Sequence, residues 1–353
     1  MGDYGKIITG NTPPTKDIGN YENGTYLWAS PADLGTIKSI TTTKTKLSSK
    51  GFSKTRALPK GSILVTCIGS TIGKAGMATK EMSTNQQINS IVVNENNDNE
   101  FVYYAIQSAF PRYLSSIAVQ AVPIISKSAF ELLPNKRPCL EEQKKIGRFL
   151  SLLDERIATQ SKIIEDLKKL KSAISESLFK DIKGDVVMLS EVCEIIKGKQ
   201  INGEFLSEKG KYYVMNGGTE PSGYYSDYNV EANTISISEG GNSCGYVQFN
   251  TSPFWSGGHC YTIQKITDNV DNLYLYHYLK SKENDIMKLR IGSGLPNIQK
   301  KDLAMFKIKI PTVEQQKAIS TFLSSLERKA EIEEIIQNIM LKEKLYLLRQ
   351  MFI

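Results

Sequence analysis

The chain has 353 residues, of which 40% are hydrophobic and 23% are charged, and its formal net charge is +7. This length suits two or more domains rather than one core, and the composition is that of a soluble globular protein. We expect no membrane-spanning helix, because no run of about 18 apolar residues occurs, and no signal peptide. Five scattered cysteines without a CxxC pair predict a reducing, cytoplasmic location and neither disulfides nor a zinc site.

The positive charge is concentrated in the first part of the chain. Residues 1–137 carry 15 Lys and Arg against 9 Asp and Glu, and no acid occurs between Leu34 and Lys80. Basic residues interleaved with Ser and Thr suit contacts with phosphates. A solvated lysine-rich loop explains the same composition, so charge alone leaves a nucleic-acid ligand open.

Short strands and capped helices are predicted in both halves. Strands are indicated at residues 63–66 and 88–93, and again at 234–238 and 260–263, beside glycine-rich turns. Asn97-Asp98 and Asp271-Asn272 each offer a helix cap, and we expect the first of these helices to end before Pro111. Each globular part is therefore predicted to be an α+β domain with an irregular sheet.

Two long helices are predicted, at residues 141–180 and 314–352. In the first, large apolar residues follow the 4-3 spacing of a coiled coil, at Ile146, Leu150, Leu153, Ile157, Ile164, Leu167, Ile174 and Leu178. In the second, the spacing fits Ile319, Leu323 and Leu326 and then Ile332, Ile336 and Ile339, with a phase slip near Arg328 that indicates a one-residue insertion or deletion. Burying both apolar seams requires a partner, and we expect the helices to pair within the chain. Pairing between two chains is the alternative.

An internal repeat connects these parts. Residues 138–153 and 311–326 share the pattern Pro-x-x-Glu-x-Gln-Lys-x-Ile-x-x-Phe-Leu-x-x-Leu at a constant offset of 173. Ile7-Ile8-Thr9-Gly10 matches Ile195-Ile196-Lys197-Gly198 at an offset of 188, and Gly69 and Gly73 match Gly241 and Gly245 at 172. Segments 11–62 and 199–234 barely resemble each other. The repeat predicts two copies of one scaffold that present different surfaces.

No catalytic motif stands out. Residues 69–75 resemble a phosphate-binding loop but have three residues between the glycines where four are needed, so a tight turn after a strand is favoured. Asn11-Thr12-Pro13-Pro14 lacks the form of a methyltransferase loop. His277 is expected to pack in a helix, and His259 has no spaced metal ligands or triad partners. The pattern favours a binding protein, although a coiled-coil scaffold that binds proteins and an enzyme with an unrecognised site stay open.

The doubled helix motif resembles the type I restriction–modification specificity (S) subunit. Residues 7–14 with 58–65, and residues 216–224, look like parts of that family's target recognition domains. The chain departs from the family at its front, where Met1 aligns with Leu189 and counterparts of residues 185–188 are missing. We therefore expect a weakened edge in the first domain.

This resemblance implies an α+β fold. Two target recognition domains, each a β-rich mixed α/β structure, are separated by a pair of long antiparallel coiled-coil helices in a pseudo-two-fold internal repeat. The boundaries implied are 1–138 for the first recognition domain, 139–183 for the first helix, 184–311 for the second domain and 312–353 for the second helix.

The resemblance also implies a function. Each domain would read one half of a bipartite, asymmetric site in double-stranded DNA, while the helices set the spacer and dock two methyltransferase subunits. Two restriction subunits would complete the assembly. S-adenosylmethionine, ATP and magnesium would belong to the partner subunits, so this chain is expected to be non-catalytic, with no cofactor or metal of its own.

Candidate DNA contacts follow from residue chemistry. Five basic residues are predicted to position phosphates: Lys44, Lys46, Lys50, Lys54 and Arg56. Base readers are predicted at Gln86, Gln87 and Gln120 in the first half, and at Asn216, Thr219, Ser222, Tyr224, Tyr225, Lys288 and Arg290 in the second. Ordinary turn or surface polarity is the alternative for each, and Tyr224, Tyr225 and Tyr228 also suit core or rim packing.

Overall fold

The computed structural model describes residues 1–35, 37–116, 123–292 and 294–352. Contacts divide the chain into two compact units: unit 1 is Met1–Ser161 with Ile336–Ile353, and unit 2 is Lys162–Ile335. Each unit combines a head of short strands and helices with sections of two long helices. None of the helices in the described parts of the chain is long and apolar enough to span a membrane.

The head of unit 1 contains two sheets. Its elements are β1 (Gly5–Thr9), β2 (Tyr26–Ala29), β3 (Ser39–Ile40), β4 (Thr45–Leu47), α1 (Ser49–Phe52), β5 (Ile63–Thr66), β6 (Ala75–Ala78), β7 (Ser83–Thr84), β8 (Ile88–Val93), α2 (Asn99–Ser116) and α3 (Lys127–Leu132). The larger sheet has the order β1-β8-β5-β6-β3, and the smaller has the order β4-β2-β7. The predicted strands at 63–66 and 88–93 are confirmed, and they pair antiparallel with Ile63 opposite Ile91.

Helix α2 begins as predicted but does not end where predicted. The Asp98 carboxylate accepts the Phe101 N–H at 2.9 Å and caps the helix. The expected end before Pro111 is wrong, because the helix continues through Pro111 to Ser116. Phe110 is 2% exposed, and it packs edge-on against Tyr113 with ring centroids 5.9 Å apart. These contacts on both sides of Pro111 favour a continuous helix despite the hydrogen bond that proline removes.

The head of unit 2 repeats this plan with different loops. Its elements are β9 (Asp185–Met188), α5 (Leu189–Val192), β10 (Glu194–Lys197), β11 (Tyr212–Met215), β12 (Tyr224–Tyr225), β13 (Thr234–Ser238), β14 (Val247–Asn250), β15 (Trp255–Ser256), β16 (Cys260–Gln264), α6 (Asn272–Ser281), α7 (Glu283–Met287), α8 (Lys300–Ala304) and β17 (Lys307–Ile310). The main sheet has the order β10-β16-β13-β14, beside a sheet β12-β11-β15 and a pair β17-β9. Both strands predicted in this half are present, and Asp271 caps α6 through the Tyr274 N–H at 2.8 Å.

The long helices run from Leu140 to Asp181 in the first repeat and from Val313 to Met351 in the second, and we label them α4 and α9. In unit 1 the start of α4 packs against the end of α9, where Lys344 binds Asp154 at 2.5 Å. In unit 2 the end of α4 packs against the start of α9, where Lys171 binds Glu327 at 2.6 Å. The two helices are therefore antiparallel in each unit, and the predicted pairing within one chain is confirmed.

The predicted seam is right for α4 and partly wrong for α9. The eight apolar seam residues of α4 are buried or half-buried. In α9, however, Ile332 and Ile339 are 47% and 51% exposed. The predicted phase slip is therefore wrong, and the offset of 173 persists, since Lys344 of α9 corresponds to Lys171 of α4. The inward face of α9 includes the half-buried polar residues Glu333 and Gln337. A search for apolar residues at heptad spacing therefore misses part of this face.

The repeated motif joins each long helix to its head. The Gln143 side chain is 1% exposed, accepts the Asp98 N–H at 3.0 Å and donates to the Pro138 carbonyl at 3.0 Å. Gln316 is 0% exposed and makes the equivalent bonds, to the Asp271 N–H at 2.8 Å and the Pro311 carbonyl at 2.9 Å. Each buried glutamine thus links the start of a long helix to the cap of a head helix. This accounts for the repetition of proline and glutamine at fixed spacing.

The front edge of unit 1 differs from its counterpart. In unit 2, β9 pairs antiparallel with β17, with Met188 opposite Lys307. Residues 134–137 of unit 1 correspond to β17, and within the described residues they belong to no strand pair. They border a cavity of about 590 Å³. The strand pair at this edge of unit 2 therefore has no counterpart among the described residues of unit 1.

Candidate nucleic-acid interface

Several polar side chains of unit 1 meet where β1 and β8 lie side by side. Thr9 donates from its hydroxyl to the Asn89 carboxamide oxygen at 2.6 Å. Arg56 donates to the Thr9 carbonyl at 2.7 Å, and Thr12 donates to the Gln86 side chain at 2.5 Å. The structure therefore brings the predicted contacts Arg56 and Gln86 to one end of the main sheet. Gln87 lies beside them and accepts from the Asn85 carboxamide at 3.0 Å, whereas Gln120 lies outside the described residues.

The predicted lysine cluster separates into two kinds of side chain. Lys50 and Lys54 bind Asp17 at 2.9 and 3.2 Å. Hydrogen bonds from Lys50 and then Lys54 lower the pKa of Asp17. Lys44 and Lys46 are exposed and form no ion pair within the described parts of unit 1. Exposed, unpaired ammonium groups are the most readily available for phosphates, so Lys44 and Lys46 are the stronger candidates.

The corresponding end of the unit 2 sheet carries a charged cluster. Lys197 at the end of β10 binds the Glu239 carboxylate at 2.6 Å, and the Tyr261 hydroxyl donates to the same oxygen at 3.0 Å. Burial, and then the hydrogen bond to Glu239, raise the pKa of Tyr261, so that its hydroxyl remains a donor. His259 lies with Nδ1 3.8 Å from the other Glu239 oxygen. We call Lys197, Glu239 and His259 the β10 cluster.

Among the predicted second-half residues, Asn216 lies beside this cluster. Its carboxamide oxygen accepts the His259 N–H at 3.1 Å. Arg290 is exposed and precedes Ile291, which pairs with Asn297 in an isolated bridge; Asn297 also bridges to Gly240, next to Glu239. The sequence had singled out neither Lys197 nor Glu239 as a contact. The one sequence signal for Lys197 was the match of residues 195–198 to residues 7–10, which makes Lys197 the repeat equivalent of Thr9.

The remaining second-half candidates lie elsewhere in the described part of unit 2. Thr219 and Ser222 are exposed in the turn between β11 and β12. Tyr224 and Tyr225 are half-buried in β12, and Tyr225 packs edge-on against Trp255 with centroids 5.2 Å apart, which favours the rim-aromatic interpretation. Lys288 binds Asp285 at 2.7 Å beyond the end of α7.

The remaining chemistry-bearing residues have structural surroundings. His277 is 2% exposed, and burial lowers its pKa to about 4, as expected for a histidine packed in a helix. Gly69 and Gly73, with φ of 94° and 89°, form the turn between β5 and β6, which confirms a turn rather than a nucleotide loop. Within the described residues no group of three or more His, Cys, Asp or Glu could hold a metal ion.

The chain belongs to the family of the type I restriction modification DNA specificity domain, whose model matches residues 1–169 and again residues 182–341. Both halves of the repeat are thus copies of this domain. The specificity subunit of the type I restriction enzyme MjaVIII from Methanocaldococcus jannaschii is 26% identical over 302 residues, covering 74% of this chain and 70% of that protein.

Other relatives match over shorter stretches. Two mycoplasma relatives, from Mycoplasma pneumoniae and Mycoplasma genitalium, are 33% and 31% identical over 152 and 145 residues. The chain spans about two fifths of their length, 40% and 38%. A crystal structure of a type I restriction-modification S subunit from M. genitalium superposes with a TM-score of 0.67 at 20% identity, covering 99% of this chain and 93% of that one. At this identity the likeness shows the fold.

Proposed function

We propose that this chain is the DNA sequence-specificity subunit of a type I restriction–modification complex. Each head reads one half of a bipartite, asymmetric DNA site, and α4 and α9 set the spacer between the halves. The chain carries out no chemistry itself. Methyltransferase subunits, two in number, bind the helices, and two restriction subunits complete a nuclease that works in the cytoplasm.

One observation carries this proposal: the two units share a scaffold and differ in the residues that the scaffold presents. Gln143 and Gln316 make equivalent bonds, and the aromatic pairs Phe352–Phe101 and Phe179–Tyr274 correspond at the same offset. At the sheet end, however, the three positions of the β10 cluster are occupied in unit 1 by neutral side chains, and the charge nearest to them is Arg56, which donates to the Thr9 carbonyl at 2.7 Å. A shared frame with dissimilar contact residues is what the reading of two dissimilar half-sites requires.

The helices support the second part of the proposal. Phe149 and Phe322 are equivalent in the repeat, and they are 47% and 45% exposed at the starts of α4 and α9. Two equivalent exposed faces suit two copies of one partner. We propose 1–138 and 184–311 as the recognition domains, with 139–183 and 312–353 as the spacer and docking helices.

The test is to sequence the methylated genome of a host that expresses this chain with its partner subunits. A bipartite asymmetric methylated motif that disappears when the gene is deleted supports the proposal. Binding of labelled duplexes by the purified chain and its partners, at two salt concentrations, is the second measurement. DNA affinity should fall steeply with salt. A protein-binding scaffold would produce neither a motif nor salt-sensitive DNA binding.

A further inference from the structure

We propose that Lys197 and His259 contact a base pair of the second half-site directly, and that the buried Glu239 carboxylate positions both side chains. The inference rests on the proposed function, because it assigns residues to the reading of one half-site. The equivalent positions in unit 1 are Thr9, Gln87 and Cys67. The two half-sites would therefore differ at the base pair that faces this point.

The geometry of the β10 cluster distinguishes it from an ordinary surface ion pair. The Glu239 side chain is 10% exposed, whereas Lys197 and His259 are 52% and 62% exposed. One Glu239 oxygen binds Lys197 and Tyr261. The other is buried and has no hydrogen-bond partner among the described residues, with His259 Nδ1 3.8 Å away. A buried carboxylate thus holds one exposed cation and lies within a small side-chain movement of a second donor.

The same positions can be identified in unit 1 from backbone bonds. The Glu239 N–H donates to the His259 carbonyl at 2.9 Å, and the Cys67 N–H donates to the Gln87 carbonyl at 2.8 Å. The carbonyls of Glu239 and Cys67 accept from Ile298 and Ile125 at 2.9 and 2.8 Å. Burial raises the pKa of Cys67 to about 12, so the centre of the unit 1 cluster is a neutral thiol. Equivalent backbone positions therefore carry charged chemistry in one unit and neutral chemistry in the other.

The surroundings of His259 permit a close approach by a ligand. Glycines border the histidine: a Cβ on Gly217 would lie 3.0 Å from the His259 Cβ, and one on Gly240 would lie 3.9 Å from its Nδ1. Gly241 has φ of 76° and open space where a side chain would be. Side chains of Asn216 and Gln200 cover Gly257 and Gly258 before the histidine, whereas bare backbone at Gly240 and Gly241 leaves the His259 tip open to a ligand. A lysine ammonium donates to the O6 and N7 acceptors of guanine, so we expect a G·C pair at this position.

Two sets of variants test the assignment, with the preferred DNA sequence read by selecting bound duplexes from a pool randomised across the site. The double variant Lys197→Thr with Glu239→Cys installs the unit 1 residues and removes both charges together, and His259→Gln installs the equivalent of Gln87. Both should lower the preference for the favoured base at one position by about tenfold, with the other half-site and the spacer unchanged. The matched control is Lys265→Thr with Glu194→Cys. This ion pair, at 2.6 Å, lies at the opposite end of β10 and is largely exposed, so the preferred sequence should not change.

Two outcomes overturn the proposal. If neither set changes the preferred base, or if affinity falls by the same factor for every sequence, the cluster does not read a base. Should the Lys197→Thr, Glu239→Cys variant fail to fold, as shown by Trp255 fluorescence in a Trp28→Phe background, the exposed His259→Gln substitution decides alone. A parent protein without any sequence preference would reject the proposed function itself. A sequence-specific parent with unchanged variants would reject only this assignment.

Discussion

The buried His277 should make the stability of unit 2 depend on pH. The imidazole is 2% exposed in α6, and its Nε2 lies 2.9 Å from the Ser324 hydroxyl of α9. Glu327, Lys171 and Asp271 are the charged groups that act on it. Burial is the largest effect and lowers the pKa from the ordinary 6.5 to about 4.

The direction of the pH effect follows from proton binding. Because the folded pKa lies below the unfolded one, the unfolded chain binds more protons between about pH 6.5 and pH 4. The stability present above pH 6.5 is therefore lost as the pH falls through this interval. At about 1.4 kcal/mol per pKa unit the full effect is about 3 kcal/mol, of which about 2 kcal/mol should be lost by pH 5.

The two tryptophans of the sequence allow a local assay, because Trp28 lies in unit 1 and Trp255 in unit 2. In a Trp28→Phe background, urea unfolding followed by Trp255 fluorescence reports on unit 2 at pH 7.5 and pH 5.0. The parent should lose about 2 kcal/mol more than His277→Gln over this interval. Equal losses in the parent and His277→Gln would refute the reasoning.

Three further predictions concern packing, charge and spacing. Leu150 and Leu323 are equivalent in the repeat and fully buried. Leu150→Ala and Leu323→Ala should each lower the free energy of unfolding by about 2–5 kcal/mol, as measured by urea denaturation. A loss under about 1 kcal/mol would contradict this packing. The double variant Lys44→Ala, Lys46→Ala should weaken binding to all DNA sequences and lower the slope of log affinity against log salt by about 2. The same double change at Lys50 and Lys54 should weaken binding less, because Asp17 already binds these two lysines. Equal losses of affinity in filter binding would argue against this distinction. Inserting seven residues into each long helix, after residue 161 in α4 and before residue 336 in α9, adds about 10 Å of helix. The spacer of the methylated motif should then lengthen by about 3 base pairs. An unchanged spacer would show that the helices do not determine its length.

Local patterns predicted the elements well where local physics decides them. The strands at 63–66 and 88–93 and the first long helix follow from apolar periodicity between glycine or capping residues. Pro111 and the inward face of α9 show where local rules fail. Packing of Phe110 and Tyr113 maintains a helix through a proline. The half-buried ion pair of Lys344 with Asp154 puts polar residues on the inward face of α9, so an apolar pattern assigns that face to the wrong residues.

The sequence by itself determined the duplication, the two long helices and the membership of a DNA-specificity family, because repeats and heptads are properties of residue order. Only the tertiary structure decided which polar residues meet. Lys197 and Glu239 are 42 positions apart and come together through the pairing of β10, β16 and β13, and Asp17 reaches lysines more than 30 positions away. Ion pairing depends on distance in space and on burial. Sheet register sets both, and no spacing along the chain records them.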